Sequence, residues 1–213
     1  THHFLAQSIT ISSCFEFCFW EIQQLGADWA PQPVTTKVTK FFDGCSGIIR
    51  WEDGVGLLAQ LMEAKKAEGY SSGAWRAGVS SWGKRGVLIS QMGSLSCSLY
   101  LGHSFDSNTA AIIPHDPAHL QAVWGCCSSA EFVDTVRALD KSLKVTNATL
   151  SKVPFDLAHW QKVSAEEYPH GLPKPFSSDP TQWLFNGHPK GSDEPLQVAV
   201  ARLLGYRWPA QEP

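Results

Sequence analysis

The stretch Gly86-Val-Leu-Ile-Ser-Gln-Met-Gly-Ser-Leu-Ser-Cys-Ser-Leu-Tyr-Leu101, followed by Thr109-Ala-Ala-Ile-Ile113, decides the fold. Val87–Gln91, Ser96–Leu101 and Thr109–Ile113 are short runs of strand formers separated by Gly, Ser and Asn, and they predict three strands. Helical signals follow them. After His115-Asp-Pro117 one helix is expected over Ala118–Cys127. A second is expected over Ala130–Leu139, capped by Ser128 or Ser129 with Glu131 in its first turn. Lys144–Thr146 predicts a short strand, and Asn147 or Thr149 opens a turn that Val153-Pro154-Phe155 ends. Asp156 caps a helix running to Glu167. Pro169–Pro180 is irregular, and Ser192–Gly205 carries a cap, a proline near the first turn and a terminal glycine. The expectation is α+β: a twisted, mainly antiparallel sheet with helices from 116–140, 156–167 and 194–204 packed on it.

Outward from that centre, Gly56–Glu68 reads as a helix. Leu57, Leu58, Leu61 and Met62 keep helical spacing, Lys65 and Lys66 fall in the last turn, and Gly69 is the stop. Cys14–Leu25 is apolar and is read as helical, with Cys14 and Cys18 four apart among Phe15, Phe17 and Phe19. The chain has 213 residues, 43% of them apolar, which excludes disorder as the dominant state and suffices for a core without disulfides or a structural metal. The six Cys include no CxxC pair. They read as reduced packing residues of a cytoplasmic protein. No apolar run reaches the length of a membrane span, and no secretory signal pattern stands at the start, so no membrane partner is expected. The chain reads as a piece of something longer.

The net charge of −3 is segregated. Residues 35–100 hold eight Lys/Arg against five acids, while 1–34 and 101–213 are each acidic by three. The basic middle contains a Gly/Ser-rich loop, Ser71-Ser-Gly-Ala-Trp-Arg-Ala-Gly-Val-Ser-Ser-Trp-Gly-Lys-Arg-Gly86. Arg76, Lys84 and Arg85 can neutralise phosphates, and Arg can grip a guanine edge. Ser80 and Ser81 can reach phosphate or base edges, and Trp82 can stack on a base or wedge a step. The alternative is a solvated loop with its Trp folded into the core. The overall negative charge argues against an independent tight DNA binder, though not against a module that works beside a positive cleft.

Several signals are missing: a glycine-rich phosphate loop, GxSxG, HExxH and paired zinc ligands. His115 and His119 straddle a helix start across Pro117 and read as surface caps rather than as metal ligands. No catalytic residue and no metal ligand is assigned.

Two longer stretches carry a resemblance. The first is Ala111-Ile-Ile-Pro114, Leu120-Gln-Ala-Val-Trp-Gly-Cys-Cys-Ser-Ser-Ala-Glu-Phe132 and Leu143-Lys-Val-Thr-Asn-Ala-Thr-Leu-Ser-Lys-Val-Pro-Phe155. It resembles the target-recognition (specificity) region of bacterial adenine-N6 DNA methyltransferases. The second comprises Leu172-Pro-Lys-Pro175, Asp179-Pro-Thr-Gln-Trp-Leu-Phe-Asn-Gly-His-Pro189 and Pro195-Leu-Gln-Val-Ala-Val-Ala-Arg-Leu-Leu-Gly-Tyr-Arg-Trp-Pro209. It is similar to a narrower branch, the type IIG restriction–modification and BREX-like phage-defence enzymes. Together they span most of residues 40–209.

The resemblance implies a parent chain with a domain that binds S-adenosylmethionine and carries an (Asn/Asp)-Pro-Pro-(Tyr/Phe) motif. This sequence has none; Asp116-Pro117 and Asp179-Pro180 lack the second proline and the aromatic. No catalytic residue therefore carries over, and no cofactor belongs to this segment. The implied partners are double-stranded DNA and the parent's methyltransferase domain. The expected organisation is an N-terminal helical segment and linker over 1–34, a recognition-like α+β domain over 35–168, and a Pro-rich connector with a C-terminal helix over 169–213. Phe132, Leu150, Val153 and Phe155 read as core. The expected DNA contacts are Arg76, Ser80, Ser81, Trp82, Lys84 and Arg85, with Asn147 at a strand-to-helix turn as a second choice. Two rivals stand beside this reading. One is a protein-interaction module using 169–189, Trp183 and Trp208; the other is a Trp-rich glycan-binding module.

Overall fold

The computed structural model of the chain describes residues 15–23, 25–69, 78–192 and 194–208. It has a mixed α+β architecture of two small antiparallel sheets with helices packed against them. Contacts divide the chain into two compact units that interleave in sequence. One comprises 1–33, 45–77 and 176–213; the other comprises 34–44 and 78–175.

The first unit is built on β1 (Glu16–Cys18), β2 (Trp29–Pro31) and β3 (Gly47–Arg50), in the order β1-β3-β2. The helix expected over Cys14–Leu25 is absent from its described part, where β1 is followed by a 3-10 turn at Phe19–Glu21; Cys14 lies outside the described residues. The reason is periodicity. Phe15, Phe17 and Phe19 recur every second residue, the spacing of a strand, and this outweighs the four-residue spacing of the cysteines. Phe17 meets Trp29 edge-on at 5.3 Å, and Phe19 is buried. Helix α1 (Leu57–Ala67) puts Leu58 and Met62 against Ile49. Its cap comes from upstream: Glu52 accepts the Leu57 N–H on Oε2 (2.9 Å) and binds Arg50 through Oε1 (3.0 Å). That reach requires a left-handed turn with φ of 49° at Glu52 and 53° at Asp53. The C-terminal arm belongs to this unit. Gln182 Oε1 accepts the Cys45 N–H at 2.6 Å, and the Trp183 N–H returns to the Cys45 carbonyl at 2.7 Å. Helix α6 (Pro195–Leu203) buries Val198 and Ala201 with Trp208.

The second unit is built on β4 (Gly86–Ser90), β5 (Cys97–Tyr100) and β6 (Thr109–Ile112), antiparallel in the order β5-β4-β6. All three expected strands form. Helices α2 (Leu120–Cys127), α3 (Ala130–Leu139) and α5 (Leu157–Glu167) follow, with a single turn, α4 (Asn147–Leu150), between the last two. Ser129 caps α3 by accepting the Phe132 N–H, and Asp156 caps α5 by accepting the His159 N–H, each at 3.1 Å. The expected strand over Lys144–Thr146 shrinks to a bridge between Met92 and Lys144, because Thr146 already caps α4. The helix expected over 194–204 forms as α6 and groups with the first unit, not with the unit that holds the central sheet.

One core fills this unit. Val87, Ile89 and Cys97 from the sheet meet Val123, Trp124 and Cys127 from α2, with Phe132, Val136 and Trp160 around them. Helices α2 and α5 pack closely because Gly125 faces Ser164; a Cβ on Gly125 would lie 3.2 Å from the Ser164 Cβ. Gln121 seals the pair by donating to the Ser164 carbonyl at 2.7 Å, and Phe41 stacks on Trp124 at 4.9 Å. Cys97, Cys126 and Cys127 are buried free thiols in this core. Burial pushes Cys97 up to about 12 and Cys126 up to about 11, which makes them poor nucleophiles and poor metal ligands near neutral pH. No described helix is long and apolar enough to cross a membrane.

Ile89 is fully buried at the centre of this core. Ile89→Ala is expected to destabilise the protein by about 2–5 kcal/mol, whereas Ser129→Ala should cost about 1 kcal/mol. Urea unfolding followed by circular dichroism reads both; equal effects would overturn the ranking of core above cap.

Candidate nucleic-acid interface

The turn that enters β4 carries most of the expected site. Val79–Ser81 form a 3-10 turn, the Ser81 N–H bonds the Gly78 carbonyl at 2.8 Å, and the Lys84 N–H bonds the Ser81 carbonyl at 3.1 Å. The turn is pinned to the end of β5 by the Gly83 N–H and the Gly102 carbonyl at 2.8 Å. Both glycines have positive φ, and a Cβ on Gly102 would lie 3.0 Å from the Gly83 backbone. A side chain at Gly102 would press on the Gly83 backbone, whereas one at Gly83 would meet no neighbour and only its positive φ disfavours it.

From this support Ser80, Lys84 and Arg85 are exposed, while Ser81 and Trp82 are half-buried. Neither Lys84 nor Arg85 has an acidic partner among the described residues. Arg76 and Trp75 lie outside the described residues. The half-burial of Trp82 limits it to presenting part of its ring. No described Trp is exposed, and Trp208 is buried, with its Nε1–H donating to the Pro180 carbonyl at 2.8 Å. The expectation that Trp208 offers a docking surface is therefore corrected: its ring completes the core around α6.

Asn147 stands apart from this turn. It sits at the opposite end of β4, tied through Gln91, whose Nε2 donates to Asn147 Oδ1 at 2.8 Å. Six residues of extended chain between Arg85 and Gln91 correspond to about 20 Å. The structure thus brings Ser80, Ser81, Trp82, Lys84 and Arg85 together and leaves Asn147 at the far end. Gln91 is what the sequence reading missed. It is buried, its N–H bonds the Asn108 carbonyl, and its carbonyl accepts the Val145 N–H at 2.9 Å. Only its place at the end of a strand, a polar residue after four apolar or small ones, hinted at such a junction.

Beside β6 the second unit holds a cavity of about 580 Å3, lined by Ala111, Val123, Phe132, Leu150, Val153 and Phe155 among others, with His115, His119 and Asn147 at polar positions. Phe132 and Leu150 are core, as expected, but Phe155 is 44% exposed and stands at this cavity instead. Asp116, rather than a histidine, caps the turn at 117–119, accepting the Ala118 N–H at 2.9 Å. Among the described residues no group of three or more His, Cys, Asp or Glu could hold a metal ion.

No protein-family model matches the chain, and no curated protein aligns with it. The likeness to methyltransferase recognition regions rests on the quoted stretches alone.

His103, just after β5, is held below the ordinary histidine value by burial. The unfolded chain then takes up this proton more readily, so stability is lost as pH falls from about 6.5 towards the folded value. His103→Gln should reduce the drop in urea midpoint between pH 7.5 and pH 5.5. An unchanged drop would assign the acid sensitivity to other groups.

Proposed function

We propose that this chain is the target-recognition region of a larger S-adenosylmethionine-dependent adenine-N6 DNA methyltransferase, of the restriction–modification or phage-defence kind, and that it reads duplex DNA. One observation carries the reading. Lys84 and Arg85 stand exposed and without acidic partners among the described residues, on a turn tied to the end of β5 by the Gly83 N–H and the Gly102 carbonyl. A pair of exposed, uncompensated cations suits phosphate contact, since neutralising phosphates and releasing their counterions supplies much of the affinity for DNA. Charge distribution supports it. The second unit holds ten Lys/Arg against nine Asp/Glu, so the acidic excess of the chain lies in the first.

In this reading Lys84 and Arg85 set register on the backbone, and Ser80 and Ser81 add hydroxyl contacts. Asn147 lies about 20 Å along β4, a span of roughly six base pairs at 3.4 Å each. Its Oδ1 is engaged by Gln91, so it offers N–H donors rather than the bidentate pair that selects adenine. The flipped adenine enters the pocket of the parent's catalytic domain, where the cofactor and the chemistry reside. The segment is then a recognition-type α+β fold with no catalytic residue of its own.

Fluorescence anisotropy of the chain with a randomised duplex pool, across a salt series, tests this. Binding should weaken steeply with salt. The Lys84→Ala, Arg85→Ala double variant should lower the magnitude of the log–log salt slope by about 2, since each phosphate contact contributes about 0.9. An unchanged slope in the variant, or no binding at low salt, would reject the assignment of these residues.

The rival from another class keeps one observation. Leu196, Val200, Leu203 and Leu204 are exposed on α6 and just past its end, at the spacing of one helix face, which is a pattern suited to a protein partner.

A further inference from the structure

The two edges of the second unit's sheet are treated differently. On the β5 edge the Leu99 N–H bonds the Phe41 carbonyl at 2.8 Å, and the Lys40 N–H bonds the Cys97 carbonyl at 3.2 Å, so the segment at 40–41 covers it. On the β6 edge the ladder can be phased. The Gln91 N–H bonds the Asn108 carbonyl at 2.8 Å, and the register pairs Ile89 with Ala110 and Val87 with Ile112. Bonded pairs alternate in an antiparallel ladder. Asn108, Ala110 and Ile112 therefore face β4, while Thr109 and Ala111 turn their N–H and C=O groups away from it; Ile113, one residue past the end of β6, is the next position of that period. Thr109 closes its own N–H on the Asp106 carbonyl at 3.2 Å. Ala111 and Ile113 have no backbone partner on that side among the described residues.

The cavity of about 580 Å3 lies along this open edge, lined by Val123, Phe132, Leu150, Val153 and Phe155 together with Ala111 and Ile113. Its size falls within the roughly 300–1,000 Å3 of ligand-binding clefts. Main-chain groups open at every second residue beside an apolar cavity match one kind of occupant: another strand, whose backbone repeats donors and acceptors at that period. Charge narrows it further. Lys152, between cavity-lining Ser151 and Val153, is exposed and has no acidic partner among the described residues.

We infer that β6 is a docking edge for an extended segment of a partner polypeptide, which adds a fourth strand at Ala111 and Ile113. It places apolar side chains from alternate positions in the cavity and sets an acidic residue against Lys152. This goes beyond the DNA reading and does not rest on it.

A phage-displayed random heptapeptide library panned on the immobilised full chain tests the inference. The enriched peptides should alternate apolar and polar residues and carry an acid at one end. Two variants then locate the binding. Ala111→Pro removes an N–H that points away from β4, so the ladder and the fold are kept, as circular dichroism and thermal unfolding check. Ser151→Trp fills the mouth of the cavity from an exposed position. Each should weaken the selected peptide at least tenfold, and so should N-methylation of alternate peptide residues. No enriched sequence would overturn the inference. So would a peptide that binds Ala111→Pro as tightly as the parent chain, or one indifferent to N-methylation, since either would show apolar contact without strand pairing.

Discussion

Five consecutive residues, Gly86–Ser90, are buried, and burial obliges every backbone N–H and C=O in that run to find a partner inside the protein. Strand β4 meets the obligation on both sides. Its even residues bond β5, with the Ser90 N–H on the Ser96 carbonyl at 2.8 Å continuing that phase, and its odd residues bond β6. The side chains then alternate between the two faces, and Val87 and Ile89 are delivered to the core that α2 covers. Both ends of this strand are tied to other parts of the second unit. The glycine contact between Gly83 and Gly102 sets how the chain enters it, and Gln91 ties its far end to Asn108, Val145 and Asn147.

That arrangement gives the surface its character. The entry turn is short and is tied to the end of β5, so Lys84 and Arg85 are presented together beside the sheet. The far end is polar and internally satisfied. Between the two runs an edge that the protein covers on one side only. A single strand thus lies between an exposed cationic turn and an open, apolar edge.

Near-neighbour chemistry was legible in the amino-acid order. The three central strands, the helices at 130–139 and 157–167, the caps at Ser129 and Asp156, and the stop after α1 all follow from side-chain period and capping over a few residues. The misreading at Cys14–Leu25 came from the same source. Two periods competed in one short run, and pairing of β1 with Gly47–Arg50, some thirty residues away, decided between them. The candidate site was legible in kind but not in arrangement. Ser80, Ser81, Trp82, Lys84 and Arg85 were close in sequence and so close in space. The separation of Asn147 from them depends on which end of β4 receives Gln91.

By itself the sequence determined the three central strands, most of the helices with their caps, the cationic turn and the buried thiols of the second unit, because each depends on local period, capping or hydrophobicity. Tertiary structure alone decided that the C-terminal helix joins the first unit, that Trp208 is buried, that Gln91 is a junction and that β6 is left open at Ala111 and Ile113. These depend on pairings between residues far apart in the chain. A hydrogen bond or an apolar contact acts over only a few ångströms, so which distant segments come within that range is set by the packing of the whole and not by the order of neighbours.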